Sequence, residues 1–401
     1  MDLILTGLPV RDAVRTSILS KKWRYKWVSI PDIYFEEDCL MKDESKPDHV
    51  NDVDQVLSHH VGPICKFSCL CYVPTGSHFD RWIDILSMNG IKKLILEMML
   101  FEEYYDVSPS VFNCQQLCHL ELIYCILEVP PTFKGFHNLS VLVLTEVSIS
   151  AEAIAFLISK CPLLETLKLL TKTCPAFHIH APNLRYLELD GDFHFLSIGS
   201  CPHLTNMSLD YWFRLGYSGY TYLEGSDFLQ FIECSLAIER LALRGTVLEF
   251  LCDGSIPKKL SATYDHLKCL EFEIRVNSDE ILVILCILRS APNLEELKIR
   301  YFTVAKTRFD LSEEYGEFWG AVTQFDCLLS HLRTVEIFGL AMLLDLEFIG
   351  CILSNAPVLE TMKVYTNENV KNEDVPRLLD ELMHFQRAST AEIKYMGHCY
   401  I

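Results

Sequence analysis

Long uninterrupted apolar runs are missing from this chain of 401 residues. No stretch approaches the roughly 18 residues that a membrane-spanning helix requires. The opening MDLILTGLPVRDAVR has an acid at position 2 and bases close behind, which is not the layout of a signal peptide. Basic residues are scarce, 35 Lys and Arg against 54 Asp and Glu, a formal charge of −19. That balance excludes general nucleic-acid binding, where a basic face supplies most of the affinity. Catalytic signatures are absent as well. Gly216 and Gly219 lack the following Lys-Ser/Thr and the preceding strand of a phosphate loop, and neither G-x-S-x-G nor H-E-x-x-H occurs. Glu102-Glu103 and Glu313-Glu314 read as solvated faces in so acidic a chain.

Paired Cys-x-x-Cys elements are missing too, although there are seventeen cysteines. The odd count, the irregular spacing and the apolar settings of Cys286 (ILVILCIL) and Cys269 (LKCLEF) favour buried free thiols over a disulfide framework. Such thiols point to a reducing compartment, cytoplasmic and/or nuclear, and make the sequons at Asn138 and Asn206 chance matches. Cys65, Cys69 and Cys71 lie near His59, His60 and His78, but Cys-x-x-x-Cys-x-Cys is not a usual zinc spacing. In a strand Cys69 and Cys71 point the same way, inward with the apolar set, so burial is the reading favoured over a metal. His178 and His180 share a face by alternation, and loop histidines are the commoner outcome there. No cofactor is expected.

What is present is a repeat, with half the residues hydrophobic, enough for a large core. One phrase returns as SKCPLLETLKL (159–169), IHAPNLRYLEL (179–189), GSCPHLTNMSL (199–209), RSAPNLEELKI (289–299) and SNAPVLETMKV (354–364). Weaker copies without proline carry Leu94/Leu96, Leu117/Leu120/Leu122, Leu139/Leu142/Leu144, Ile238/Leu241/Leu243, Leu267/Leu270/Phe272 and Leu332/Val335/Ile337. Where clearest, units are about 20–27 residues apart, the range of leucine-rich repeats. Helical stretches at 150–160 and 278–290 precede the phrase, with Ser150 and Ser278 as N-caps. Pro162, Pro292 and Pro357 then end the helix, and L-x-L forms a short strand with both apolar residues inward. One such coil cannot bury its apolar face; stacking about ten does. The fold class is therefore α/β, a leucine-rich-repeat solenoid with a parallel sheet on the concave side and helices on the convex side. Residues 36–54 read as a polar linker or loop, and 211–227 as an insertion or long loop.

The head differs in charge. Residues 1–30 hold six Lys/Arg against Asp2 and Asp12, a net of +4, which leaves −23 for the remainder. After Pro9, Ala13, Val14, Ile18 and Leu19 recur at helical spacing, and a second helix is expected to carry Trp23 and Trp27 at i, i+4. So short a segment must pack on something else.

The string LPVRDAVRTSILSKKWRYKW resembles the second half of an F-box, of the plant F-box/leucine-rich-repeat/FBD type. Residues 53–69 and 79–96 resemble that family's approach to its repeats. The segment 375–393, with Pro376, Leu379, Leu382, Phe385, Arg387-Ala388-Ser389 and Ala391-Glu392-Ile393, is similar to the end of its FBD region. The resemblance implies a partial F-box over 1–30, a polar linker leading into the repeats over 31–60, repeats over 61–325 and an FBD region continuing them over 326–401. It also implies a non-catalytic substrate receptor whose F-box docks on the Skp-type adaptor of a cullin–RING ubiquitin ligase while the repeats hold a protein target, with no nucleic acid or membrane partner. Leu8, Pro9, Val14, Leu19, Ser20 and Trp23 are the adaptor-contacting residues it implies; their alternative is packing between head and first repeat, a task expected above all of Trp27. A complete F-box has a further Leu-Pro and helix upstream, of which Asp2-Leu3-Ile4-Leu5 resembles only the tail. A second expectation follows, a stand-alone binding module or decoy that cannot recruit the ligase. Target-binding residues cannot be named from this sequence.

Overall fold

The computed structural model describes residues 5, 7–35, 49–71, 77–98, 104–174, 177–193, 196–198, 201–211, 236–252, 256–274, 278–301, 328–340, 345–371 and 373–399. They fall into two units, Met1–Cys201 and Pro202–Ile401. In the first, parallel strands follow one another in chain order: β1 (Asp32–Phe35), β2 (Lys66–Cys71), β3 (Lys93–Met98), then, past the short β4 (Tyr105–Asp106), β5 (His119–Ile123). Beyond the short β6 (Cys125–Ile126) come β7 (Val141–Thr145), β8 (Thr166–Cys174) and, past β9 (Phe177–Ile179), β10 (Tyr186–Phe193). β4 pairs with β6, and β9 with β11 (Leu196–Ile198), in two small parallel ladders. The second unit repeats the scheme with β12 (Asn206–Tyr211), β13 (Arg240–Gly245), β14 (Cys269–Ile274), β15 (Glu296–Tyr301), β16 (Thr334–Leu340), β17 (Thr361–Asn367) and β18 (Glu392–Cys399). These are more coils than the ten or so anticipated.

Register follows from the leucines. Leu94, Leu120, Leu142, Leu167 and Leu187 stand side by side in β3, β5, β7, β8 and β10, all buried. Leu241, Leu270, Leu297, Val335 and Met362 do the same in the second unit. A one-residue slip would turn each row to solvent, so the pattern fixes the pairing. Backbone staples reinforce it. The Cys65 carbonyl accepts from both Lys92 and Lys93, the Lys92 carbonyl from Cys118 and His119, and the Cys118 carbonyl from Ser140 and Val141. The Ser140 carbonyl accepts from Glu165 and Thr166, and the Glu239 carbonyl likewise accepts from Lys268 and Cys269.

The proline phrase is a tight turn, and where a helix precedes it that helix ends two or three residues before the proline, at Ser159, Ser290 and Asn355. Leu164, Leu184, Leu294 and Leu359 donate their N–H to the carbonyls of Cys161, Ala181, Ala291 and Ala356, which places the proline at the second position of a β-turn, where its fixed φ is favourable. The small residue before each proline is buried, which explains its size. Asn183 and Asn293 reach back through Nδ2 to the carbonyls of Pro162 and Asp265, tying each turn to the coil before.

Helices lie across the buried leucines from the sheet, but not in every coil. The first unit has α1 (Val10–Arg15), α2 (His49–His59), α3 (Ser77–Met88) and α4 (Ala151–Ser159). The second has α5 (Val247–Cys252), α6 (Ser278–Ser290), α7 (Asp345–Asn355) and α8 (Val375–His384). Ser150 caps α4 as expected, its Oγ accepting from Ala153 N at 3.2 Å, whereas Ser278 is the first residue of α6 itself. Between β8 and β10 the chain is too short for a helix, and β9 takes its place.

Two expectations are corrected. Residues 20–29 form no second α-helix: Trp23, Lys26 and Ile30 bond three residues back, to Ser20, Trp23 and Trp27, in successive tight turns. That spacing lets both indoles pack against Leu5, Ala13 and Ile30. The stretch 36–54, read as a polar linker or loop, ends in helix, since α2 begins at His49; residues 36–48 lie outside the described ones, as do 212–227 of the expected insertion.

Candidate protein-interaction surfaces

The head owes its shape to a small core. Leu5, Ala13 and Ile30 are buried, with Leu8, Trp23 and Trp27 packed on them. Tyr34 Oη donates to the Gly7 carbonyl at 2.7 Å, and His60 Nε2 to that of Ile30 at 2.8 Å, so the head is fastened to the first coil. The loop after α1 is closed by Ser17 Oγ, which donates to the Arg24 carbonyl at 2.9 Å. On that loop Ile18 and Leu19 are 87% and 67% exposed, and Tyr25 just past it is 71% exposed, among the exposed Lys21, Lys22 and Arg24. Of the six residues singled out from the sequence, Leu19 and Ser20 thus face solvent. Pro9 is buried, and Leu8, Val14 and Trp23 are half-buried. Ile18 and Tyr25 escaped the sequence reading. Helical spacing assigned Ile18 to an apolar face, whereas α1 ends at Arg15 and the chain tightens over Thr16–Ile18.

The cysteine and histidine group divides along the fold. Cys69 is buried in β2, His60 bonds Ile30, and His78 Nδ1 lies 2.9 Å from Asp54 Oδ2. Among the described residues no group of three or more His, Cys, Asp or Glu is placed to hold a metal ion. His178 and His180 are both exposed, flanking the buried Ile179. Burial pushes the thiols of Cys114, Cys125 and Cys161 up to about 12, so they stay protonated and unreactive. Also among the described residues, no helix is long and apolar enough to cross a membrane.

The outward face of each sheet is the other large surface, and the two units differ. In the first, Ile95 and Val143 stand on either side of Glu121, which meets His119 at 3.3 Å, and the row runs on into the Lys168–Glu188 pair at 2.7 Å. In the second, the residues between the inward pair alternate in charge: Glu271, Lys298, Glu336 and Lys363 are aligned across β14–β17. Glu271 Oε1 accepts from Arg244 Nε at 2.9 Å and Arg300 Nε at 2.7 Å. Glu336 meets Lys363 at 2.8 Å and Lys298 at 3.4 Å. Burial works against the charge of both glutamates, but their hydrogen bonds outweigh it and hold the carboxyls below the ordinary range. This ladder was legible in principle, since its members are the middle residues of LEF, LKI, VEI and MKV.

Comparison with known proteins bears on what such surfaces do. The family model described as FBD-associated F-box protein At5g56370, LRR repeats, matches residues 79–299, and the FBD model matches 324–364. F-box/FBD/LRR-repeat protein At1g13570 of Arabidopsis thaliana is 35% identical, over 96% of this chain and 93% of its own. The chain belongs to the plant F-box/FBD/LRR-repeat family. Two further relatives from the same plant are 24% identical: F-box/LRR-repeat protein At3g03360, over 75% of this chain and 68% of its own, and the putative F-box/FBD/LRR-repeat protein At4g00315, over 97% and 96%. None of the three is named as an enzyme. Membership in the F-box/FBD/LRR-repeat family gives the chain an F-box-type role in protein interaction.

The segment after α8, which lies beyond the residues that the FBD model matches, packs back on α7. The half-buried Phe385 ring lies 2.6 Å from where a Cβ on Gly350 would sit, so the ring occupies the space that this glycine of α7 leaves open. Ala388 N donates to the Leu353 carbonyl at 2.9 Å, and Arg387 Nη1 reaches the Ala391 carbonyl at 3.4 Å.

Proposed function

We propose that this chain is a non-catalytic substrate-recognition subunit of a Skp–cullin–F-box ubiquitin ligase. The head docks on the Skp-type adaptor, and the repeats hold a protein target so that its lysines meet the charged conjugating enzyme at high effective concentration. Beyond family membership, one observation carries the reading. A basic head in an acidic chain holds Ile18, Leu19 and Tyr25 out in water, and exposed apolar side chains rimmed by charge are the usual form of a binding anchor. Leu19 and Ser20, with Ile18, are then the contacting residues. Leu8, Pro9, Val14 and Trp23 set the shape of the loop that presents them.

Capture of the full chain by a plant Skp-type adaptor tests this, beside an Ile18→Asp/Leu19→Asp variant. The substitutions lie outside the head's core, so the circular dichroism spectrum stays that of the parent. Losing two apolar anchors costs several kcal/mol, at least about a hundredfold in affinity. Capture that the variant does not weaken would exclude this loop as the docking surface. No capture of either form would exclude the receptor function.

A further inference from the structure

Past the ends of β3, β5 and β7, three neighbouring coils present a row of outward side chains. The coil ends are joined in register: Tyr105 and Asp106 pair with Cys125 and Ile126 in the β4–β6 ladder, and Ile126 bridges to Ser148. Val107 N donates to the Ile126 carbonyl at 2.9 Å, Ser148 N to that of Cys125 at 2.8 Å and Leu127 N to that of Ser148 at 2.9 Å. Tyr104 and Tyr124 each stand one position before the Tyr105–Cys125 pair, and Tyr124 and Glu146 each stand two before the Ile126–Ser148 bridge. Tyr104, Tyr124 and Glu146 therefore form one row across three coils. Cys125 is buried and Tyr105 lies edge-on against Phe79 of α3, centroids 5.1 Å apart, so by alternation the tyrosines before them turn outward. Tyr104 and Tyr124 are 44% and 41% exposed. Tyr124 and Glu146 hold left-handed backbone where other coils use Gly191, Gly245, Gly339 and Gly397, so their side chains stand there at a cost in strain. The charge of this rim is one-sided. Segments 104–110, 123–131 and 145–150 contain Asp106, Glu128 and Glu146 and no Lys, Arg or His. Asp106 and Glu128 are exposed, and neither forms an ion pair among the described residues.

We propose that this rim binds a basic segment of a target protein, with an arginine of that segment laid on the Tyr104 and Tyr124 rings and paired with the carboxylates beside them. The inference rests on the receptor reading and names the chemistry of its target. Charge complementarity argues for the occupant, since three coil ends that carry acids and no cation attract a basic segment and repel an acidic one. A guanidinium suits the two rings better than an ammonium does. Its plane stacks on a ring face while its N–H groups reach a carboxylate. The hydrogen bonds between the coil ends fix the row before a partner arrives, so binding has little backbone left to order.

The test is fluorescence anisotropy of the full chain with a labelled twelve-residue Gly/Ser peptide carrying four Arg. Peptides with Lys or Glu at the same positions serve as comparisons. The Arg peptide should bind at least tenfold tighter than the Glu peptide and at least threefold tighter than the Lys peptide, weakening as salt rises. Tyr124→Gly removes a ring and leaves the backbone the residue it prefers; it should weaken binding at least fivefold, and Asp106→Lys/Glu128→Lys at least tenfold. Glu368→Lys/Glu373→Lys, an equal reversal at exposed acids of the second unit, should leave affinity within twofold of the parent. All three variants should keep the parent's circular dichroism spectrum. Equal binding of the Arg and Lys peptides, parental affinity in both rim variants, or as large a loss in the second-unit variant would each overturn the proposal. So would dimerisation of the chain that Tyr124→Gly abolishes, since the occupant would then be the basic head of a second copy. Adaptor capture separates the two readings. Tyr124→Gly should be captured as the parent is, and no capture of the parent would sink the receptor reading while leaving peptide binding to be judged on its own.

Discussion

At Gly191 and Tyr124 the same backbone problem is met with different residues. Both follow the second inward leucine by two positions, and both have positive φ, +137° and 58°. Glu146, Gly245, Gly339 and Gly397 occupy the corresponding place in other coils. A Cβ at Gly191 would lie 1.7 Å from the Thr171 carbonyl oxygen, so glycine is obligatory there. Gly191→Ala should cost more than about 2 kcal/mol, from a strained φ and a clash together. Tyr124→Gly relieves a left-handed strain of about 1–2 kcal/mol and should be neutral or stabilising. Urea unfolding followed by tryptophan fluorescence reads both, and an equally unstable Tyr124→Gly would refute the strain argument. Asp54 presents a polar version of the same economy. Its carboxylate accepts from Trp82 Nε1 at 2.6 Å and meets His78 and Arg81. Burial opposes its charge, yet the bonds from Trp82, Arg81 and His78 prevail and lower its pKa. A depressed native value contributes stability above the unfolded pKa, near 3.9, and that contribution disappears as pH falls through the native value. Asp54→Ala should therefore cost about 1–3 kcal/mol at pH 7, since Trp82 loses its acceptor, and the difference from the parent should shrink as pH falls below the unfolded pKa of about 3.9. A gap that stays constant down to pH 2 would show that the charge is not responsible.

Among the elements, the fit between α7 and the segment after α8 depends on an absent side chain. Gly350→Ala would gain helix propensity of about 1 kcal/mol but drive a methyl into Phe385, so a net loss of about 1–3 kcal/mol is expected. Phe385→Leu in the same chain should recover part of it; no recovery in a thermal melt would remove the contact from the explanation. This region shows how legibility varied along the chain. The strands were readable because L-x-L states its own register, and Leu167 and Leu169 are buried as that alternation requires. The small-Pro-x-Leu phrase was visible together with the helix end before it, although the turn that its proline makes was not. The fold of residues 20–29 was hidden. Trp23 and Trp27 fit helical spacing, but a core shared with Leu5 and Ile30 decides their geometry, and no local pattern encodes that. The same core divides the candidate anchors: Leu19 and Ser20 face outward, while Pro9 is buried in the head. The Glu271–Glu336 ladder could have been found by reading the residue between each apolar pair.

For the molecule as a whole, the property that matters is that, within each unit, described coils address the next through the same atoms. The Ser140 carbonyl receives Glu165 and Thr166, and the Glu165 carbonyl receives Arg185 and Tyr186, whatever the intervening chain does, whether helix or short strand. A second copy of residues 141–165 placed after Glu165 should therefore leave a folded protein, whereas deletion of Leu144 alone should unfold the coil and its neighbours. Circular dichroism and limited proteolysis distinguish these outcomes, and an unfolded duplication would contradict the independence of the coils. The staple thus acts as a common coupling between units of unequal length. Recombination in register can lengthen or shorten such a gene by whole coils, and point mutation can then diversify the exposed rows without disturbing the joints.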